Sequence, residues 1–80
     1  MKITILYYGA FRAYGKQVEL NVDSPASVQI IKTVLGAHLG AEHQALIQDS
    51  VLANETDILP DEFVLDAECT LSILPPVCGG

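Results

Sequence analysis

The chain has little of what most catalytic and nucleic-acid-binding proteins depend on. It has no tryptophan and two cysteines in 80 residues. Cys69 and Cys78 are too few for a disulfide framework, and their spacing forms no Cys-x-x-Cys motif. A reducing, cytoplasmic setting is expected. Positive charge is also scarce. Lys2, Arg12, Lys16 and Lys32 face ten acidic residues, for a formal net charge of -6. Nucleic-acid binding rests on clustered Lys and Arg that displace phosphate counterions, and no such cluster exists here. No apolar run approaches the ~18 residues of a membrane span, so no membrane partner is expected either. Met1-Lys2-Ile3 leads straight into an alternating pattern rather than the apolar stretch and cleavage site of an export signal. A phosphate-cradling glycine loop is absent, so any ATP chemistry must come from a partner.

Metal ligation finds no support. His38 and His43 have no Cys or carboxylate at a recognisable ligand spacing. Asp57, Asp61, Glu62, Asp66 and Glu68 lack the calcium-loop pattern and its glycine, and read as a solvated face. No metal or cofactor bound by the chain itself is expected.

What remains is a small apolar domain. Half the residues are hydrophobic, which is enough to fold. A domain of this size buries roughly 60% of its unfolded surface and has no room for a deep private active site. That favours a carrier or binding role. The acidic surface would steer it toward a basic partner.

Residues 2–8 are β-branched and aromatic, and Ile3, Ile5 and Tyr7 alternate onto one face. A loop over 9–16 leads to a second alternating run, 17–22, with Val18, Leu20 and Val22 on one face. The two strands read as an antiparallel hairpin. Ser27 caps a helix whose apolar stripe is Val28, Ile31, Leu35 and Leu39, and Gly40 stops it. Residues 42–48 read as a further helical turn and 51–53 as a short strand. Acidic residues 54–67, broken by Pro60, read as irregular. Residues 70–74 form the last strand, with Leu71 and Ile73 on one face, and Pro75-Pro76 end it. Strand, strand, helix, strand, strand gives an α+β, two-layer domain with the helix on one face of a mixed sheet. The first and last strands carry strong apolar faces and are placed side by side at the centre.

The sequence finishes Leu74-Pro75-Pro76-Val77-Cys78-Gly79-Gly80. Residues 1–74 read as the domain and 75–80 as a tail, which extended reaches at most about 20 Å. The prolines stiffen its exit, and the glycines let its tip pass a narrow channel. Gly80 leaves the terminal carboxyl carbon sterically open. A carboxylate is a poor electrophile. As an acyl-adenylate it gains a leaving group, and a sulfur donor can displace AMP to leave a thiocarboxylate. Frayed ends are usually polar, whereas Leu74, Pro75, Pro76 and Val77 suit burial in a partner.

This ending resembles the Pro-Pro-Val-x-Gly-Gly terminus of the small subunit of molybdopterin synthase, the MoaD family, one of the MoaD/ThiS ubiquitin-like sulfur carriers. Ile5-Leu6-Tyr7-Tyr8-Gly9-Ala10-Phe11-Arg12 resembles that family's first strand and Arg-containing loop, and Leu52-Ala53-Asn54 its apolar-Ala-x-Asn strand. The resemblance implies a ubiquitin-like β-grasp fold. It implies an adenylating, E1-like enzyme that uses ATP on Gly80, and a thiocarboxylate formed there. The tail, with Gly79 at its tip, then enters the large synthase subunit and gives sulfur to cyclic pyranopterin monophosphate, within a heterotetramer. The chain departs from the family at Asp66-Ala67-Glu68-Cys69, where an Asp-Gly-Asp turn is usual, and the segment 54–65 carries an extra residue. Cys78 stands where Ser or Thr is common, as a small replacement or a second sulfur site. Arg12 is a partner contact or a solvated residue. Leu6, Tyr8 and Leu74 fall on the outer sheet face, where an apolar patch would mark a docking surface. The same terminus also suits sulfur delivery to thiamine or tRNA, a protein modifier linked through Gly80, or a binding module with an inert tail.

Overall fold

A computed structural model describes residues 1–76. Strand β1 (Lys2–Tyr7) pairs antiparallel with β2 (Gln17–Asn21), with Ile5 opposite Val18. The segment between them is a 3-10 helix, Gly9–Tyr14, rather than an open loop. Phe11 is its anchor, fully buried and stacked on Tyr7 with centroids 6.3 Å apart. Phe11 and Tyr14 are one 3-10 turn apart, so both reach inward from the same side.

After a two-residue strand β3 (Ala26–Ser27), helix α1 spans Val28–Leu39. Its start is well satisfied. The Ile30 amide donates to Ser27 Oγ at 3.2 Å. The Val28 and Gln29 amides donate to the carbonyls of Phe63 and Asp61, both at 2.9 Å. Orphan amides of a first helical turn are costly unless paired, and here side chain and loop share the task. Gly40 ends the helix at φ 118°, an angle open to glycine but not to ordinary L residues. The predicted turn over 42–48 is a 3-10 turn, Ala41–His43, running into α2 (Gln44–Asp49).

Strands β4 (Val51–Ala53), β5 (Ile58–Leu59), β6 (Val64–Leu65) and β7 (Cys69–Leu74) follow. The five-stranded sheet runs β2-β1-β7-β4-β5, and β3 with β6 forms a separate ribbon. The stretch 54–67 is therefore more ordered than its acidic composition suggests. Leu59 and Leu65 pack against the core, while Asn54 Oδ1 accepts from the amides of Thr56 and Asp57 to fold the intervening turn. Without the family's glycine, residues 66–68 make a bend whose Asp66 carbonyl accepts from Ser24 Oγ at 3.0 Å.

β1 and β7 lie side by side in parallel, with Ile5 opposite Leu71 and Tyr7 opposite Ile73. The expected central pairing is present, and with it the ubiquitin-like β-grasp. Ile3, Ile5, Leu71, Ile73 and Leu52 from the sheet meet Val28, Ile31 and Leu35 from α1 in one buried cluster. Each such side chain contributes roughly 1.5–3 kcal/mol when taken from water.

Candidate functional site

Parallel pairing of β1 with β7 brings both strands to an end at the same edge of the sheet. The turn after β1 and the root of the tail are therefore neighbours. β7 stops at Leu74 because Pro75 and Pro76 cannot donate to a ladder. Pro75 is half-buried against Gly9, and Pro76 is exposed. A Cβ built on Gly9 would lie 2.7 Å from Pro75 Cγ and 3.2 Å from Pro75 Cδ. Gly9 also has φ 57°, in the left-handed region. Two conditions at one position, backbone angle and close approach, favour glycine there.

The turn that carries Gly9 is held at its middle and at its far end. Phe11 fixes it to the core, and the Tyr14 hydroxyl shares a 2.7 Å hydrogen bond with Nδ1 of His43. The rings of Tyr14 and His43 meet edge-on, 4.9 Å between centroids. Arg12 folds back along the turn. Its Nε donates to the Tyr7 carbonyl at 2.9 Å, and its guanidinium sits 5.6 Å from the Tyr8 ring centroid. Tyr8 lies just past the end of β1, more exposed than a sheet residue, beneath this cation.

Among the cations, Lys2 pairs with Glu19 at 3.5 Å and Lys32 with Asp61 at 2.8 Å, while Arg12 and Lys16 form no ion pair among the described residues. Arg12 thus places a positive group at the end of β1, where Tyr7 is in register with Ile73, two residues before Pro75, in a chain whose net charge is -6.

Leu6 and Leu74 are partly buried on the sheet face away from α1. Register extends this face across the sheet: Leu6 opposes Ser72, Ser72 opposes Ala53, and Ala53 opposes Ile58, while Leu74 opposes Val51. Ile58 is 65% exposed. Leu6, Leu74, Val51, Ala53 and Ile58 supply the apolar positions of this surface, with Tyr8 at its edge. Val77, Cys78, Gly79 and Gly80 lie outside the described residues.

Cys69 opens β7, at the opposite end from the tail root. It borders a depression of about 400 Å³ with Asn54, Glu55, Thr56 and Thr70. Burial pushes its thiol pKa up, which suits a core-edge residue rather than a nucleophile. Among the described residues, no three His, Cys, Asp or Glu gather as metal ligands. No helix among them is long and apolar enough to cross a membrane.

The Gly9–Pro75 contact and the structured turn were not read from sequence. The three-residue spacing of Tyr8, Phe11 and Tyr14 was the available signal for a 3-10 helix.

A family model described as the ThiS family matches residues 5–80. No curated protein matches the chain. Among solved structures, SAMP1 from Haloferax volcanii is similar at TM-score 0.80 and 17% identity, covering 100% of both chains. A Pyrococcus furiosus protein assigned as molybdopterin converting factor, subunit 1, is similar at TM-score 0.72 and 17% identity, covering 95% of this chain and 98% of that one. At such identity the structural likeness speaks for the shared fold.

Proposed function

Because this chain belongs to the ThiS family, within the MoaD/ThiS-type ubiquitin-like sulfur carriers, we propose that it is the sulfur-carrying small subunit of a molybdopterin synthase. The observation that carries this reading is the terminus. The sequence Pro75-Pro76-Val77-Cys78-Gly79-Gly80 follows directly on the central strand β7, and its first residue, Pro75, lies against Gly9.

Family members work with an E1-like activating enzyme and a larger partner subunit. In this chain the Gly80 carboxylate attacks the α-phosphorus of ATP on the activating enzyme, releasing pyrophosphate. A sulfur donor then displaces AMP, leaving a thiocarboxylate on Gly80. Inside the large subunit that sulfur bonds to a carbon of cyclic pyranopterin monophosphate and expels an oxygen leaving group from it; water then cleaves the Gly80 thioester so formed, which leaves the sulfur on the pterin and returns Gly80 as a carboxylate. Leu6, Leu74 and Tyr8 dock the domain, and Pro75, Pro76, Val77 and Cys78 line the path that delivers Gly79 and Gly80. Arg12 contacts an anionic group of the partner. The chain supplies the tail and the docking face, and the partners supply the nucleotide and substrate sites.

The test is intact mass after incubation with ATP, a sulfur source and cell extract. Exchange of one oxygen for sulfur at Gly80 is expected, and deletion of Gly80 abolishes it. No exchange, in an extract that loads a known carrier, removes the reading. A second reading, a protein modifier joined through Gly80, is favoured if isopeptide-linked adducts appear in the same experiment.

A further inference from the structure

The turn beside the tail root is anchored to the domain and lies against a proline. Phe11 is buried at its middle, the Tyr14–His43 hydrogen bond holds its far end, and the Phe11 amide donates across Gly9 to the Tyr8 carbonyl at 3.1 Å. Pro75 occupies the space a Gly9 side chain would need, with its Cγ 2.7 Å and its Cδ 3.2 Å from that Cβ position. Pro75 and Pro76 each have a ring-fixed φ, so the direction in which Pro75 is seated is passed to the next residue rather than lost. We infer that Gly9 is a positioning residue for the tail: its missing side chain forms the seat on which Pro75 sets the tail's line of departure. This rests on the carrier reading above, and it assigns Gly9 a role that acts through Pro75 and touches neither nucleotide nor sulfur.

Reaction geometry is sensitive to such placement, and a displacement of about 1 Å at a reacting group can cost about a hundredfold in rate. Gly15 provides the control. It lies in the same connection with φ 123°, yet a Cβ there would meet nothing within 4 Å. Gly15→Ala therefore introduces backbone strain at least as large as that of Gly9→Ala, without obstructing the tail.

The experiment follows sulfur loading of Gly80 by intact mass in native cell extract with ATP and a sulfur source, at limiting carrier, for Gly9→Ala, Pro75→Ala, the double variant and Gly15→Ala. Gly9→Ala is expected to slow loading about tenfold or more. Pro75→Ala, which removes Cγ and Cδ, slows it a few-fold, and the double variant loads no more slowly than Pro75→Ala alone. Gly15→Ala loads like the unaltered chain. Proton NOEs between Gly9 Hα and Pro75 Hγ are expected in the unaltered chain and read the seat without any partner. Full-rate loading of Gly9→Ala, effects that multiply in the double variant, slowing by Gly15→Ala equal to that of Gly9→Ala, or missing NOEs overturn the inference. Should Gly9→Ala not fold, full-rate loading of Pro75→Ala overturns it. Failure of the unaltered chain itself to load, where a known carrier loads, is a different result and removes the carrier reading together with the role of Gly9.

Discussion

Lys32 Nζ lies 2.8 Å from Asp61 Oδ1, although the Lys32 side chain is 4% exposed and that of Asp61 is 50% exposed. The same ammonium reaches the Gln48 carbonyl at 3.5 Å. Lys32 thus ties the middle of α1 to the end of α2 and to the segment between β5 and β6. Asp61 also accepts from the Gln29 amide through its carbonyl, so its backbone and side chain both hold the helix.

Asp61→Asn is expected to leave the buried ammonium without a counter-charge. Breaking a fully buried pair costs about 3–5 kcal/mol, and the exposure of Asp61 screens this one to about 1–2 kcal/mol. Lys32→Met removes the charge that needs compensation and keeps the buried stem, so it costs less than Asp61→Asn. Urea unfolding of both variants checks the order. Equal or reversed losses would mean that the contact is not a stabilising pair.

Alkaline pH should weaken the fold through Tyr7. Burial is the main cause that pushes its hydroxyl pKa up from 10.0, with Tyr14 adding to it. Above about pH 10 the unfolded chain gives up this proton before the folded one does. The folded state then holds more protons, so stability falls with rising pH. The contribution is complete below about pH 10 and disappears as pH climbs through the folded value. Thermal midpoints between about pH 9 and 11 should fall less steeply in Tyr7→Phe than in the unaltered chain. Identical slopes would exclude Tyr7 as a source of the alkaline loss.

On the proposed role, Leu74→Glu should reduce affinity for the large synthase subunit about tenfold or more, roughly 1.4 kcal/mol. Leu74 is only partly buried on the sheet's outer face, opposite Val51, so the fold should persist. Titration calorimetry with the large subunit measures the affinity, and circular dichroism checks the fold. Unchanged affinity would remove the outer face from the interface.

The β-grasp order was legible because its strongest signals are periodic. Ile3, Ile5 and Tyr7, then Leu71 and Ile73, alternate as a one-sided strand must, and Val28, Ile31 and Leu35 keep helical spacing. Ser27 and Gly40 mark the helix ends by local chemistry, and both act as expected. β5 and β6 were not legible. Two-residue strands carry no period, and their acidic neighbours mask Leu59 and Leu65. The burial of Lys32 was not legible either, since it depends on Asp61, 29 residues away. Of the candidate site, Leu6 and Leu74 could be placed from strand alternation. The seat of Pro75 could not, because it is made by a side chain that Gly9 lacks.

The parallel ladder between β1 and β7 also bears on how the chain is made. Pairing of distant segments pays its loop-closure entropy before any contact repays it, so this ladder is a late event in folding. β1 is synthesised before β7 and has no parallel neighbour until residues 69–74 follow. A product cut short within β7 would lack the middle of its sheet, and chains without the tail root would be left to proteolysis as unfolded material. In this architecture the residues that complete the core adjoin those that begin the proposed carrier tail, so a finished fold certifies that synthesis has reached the tail root.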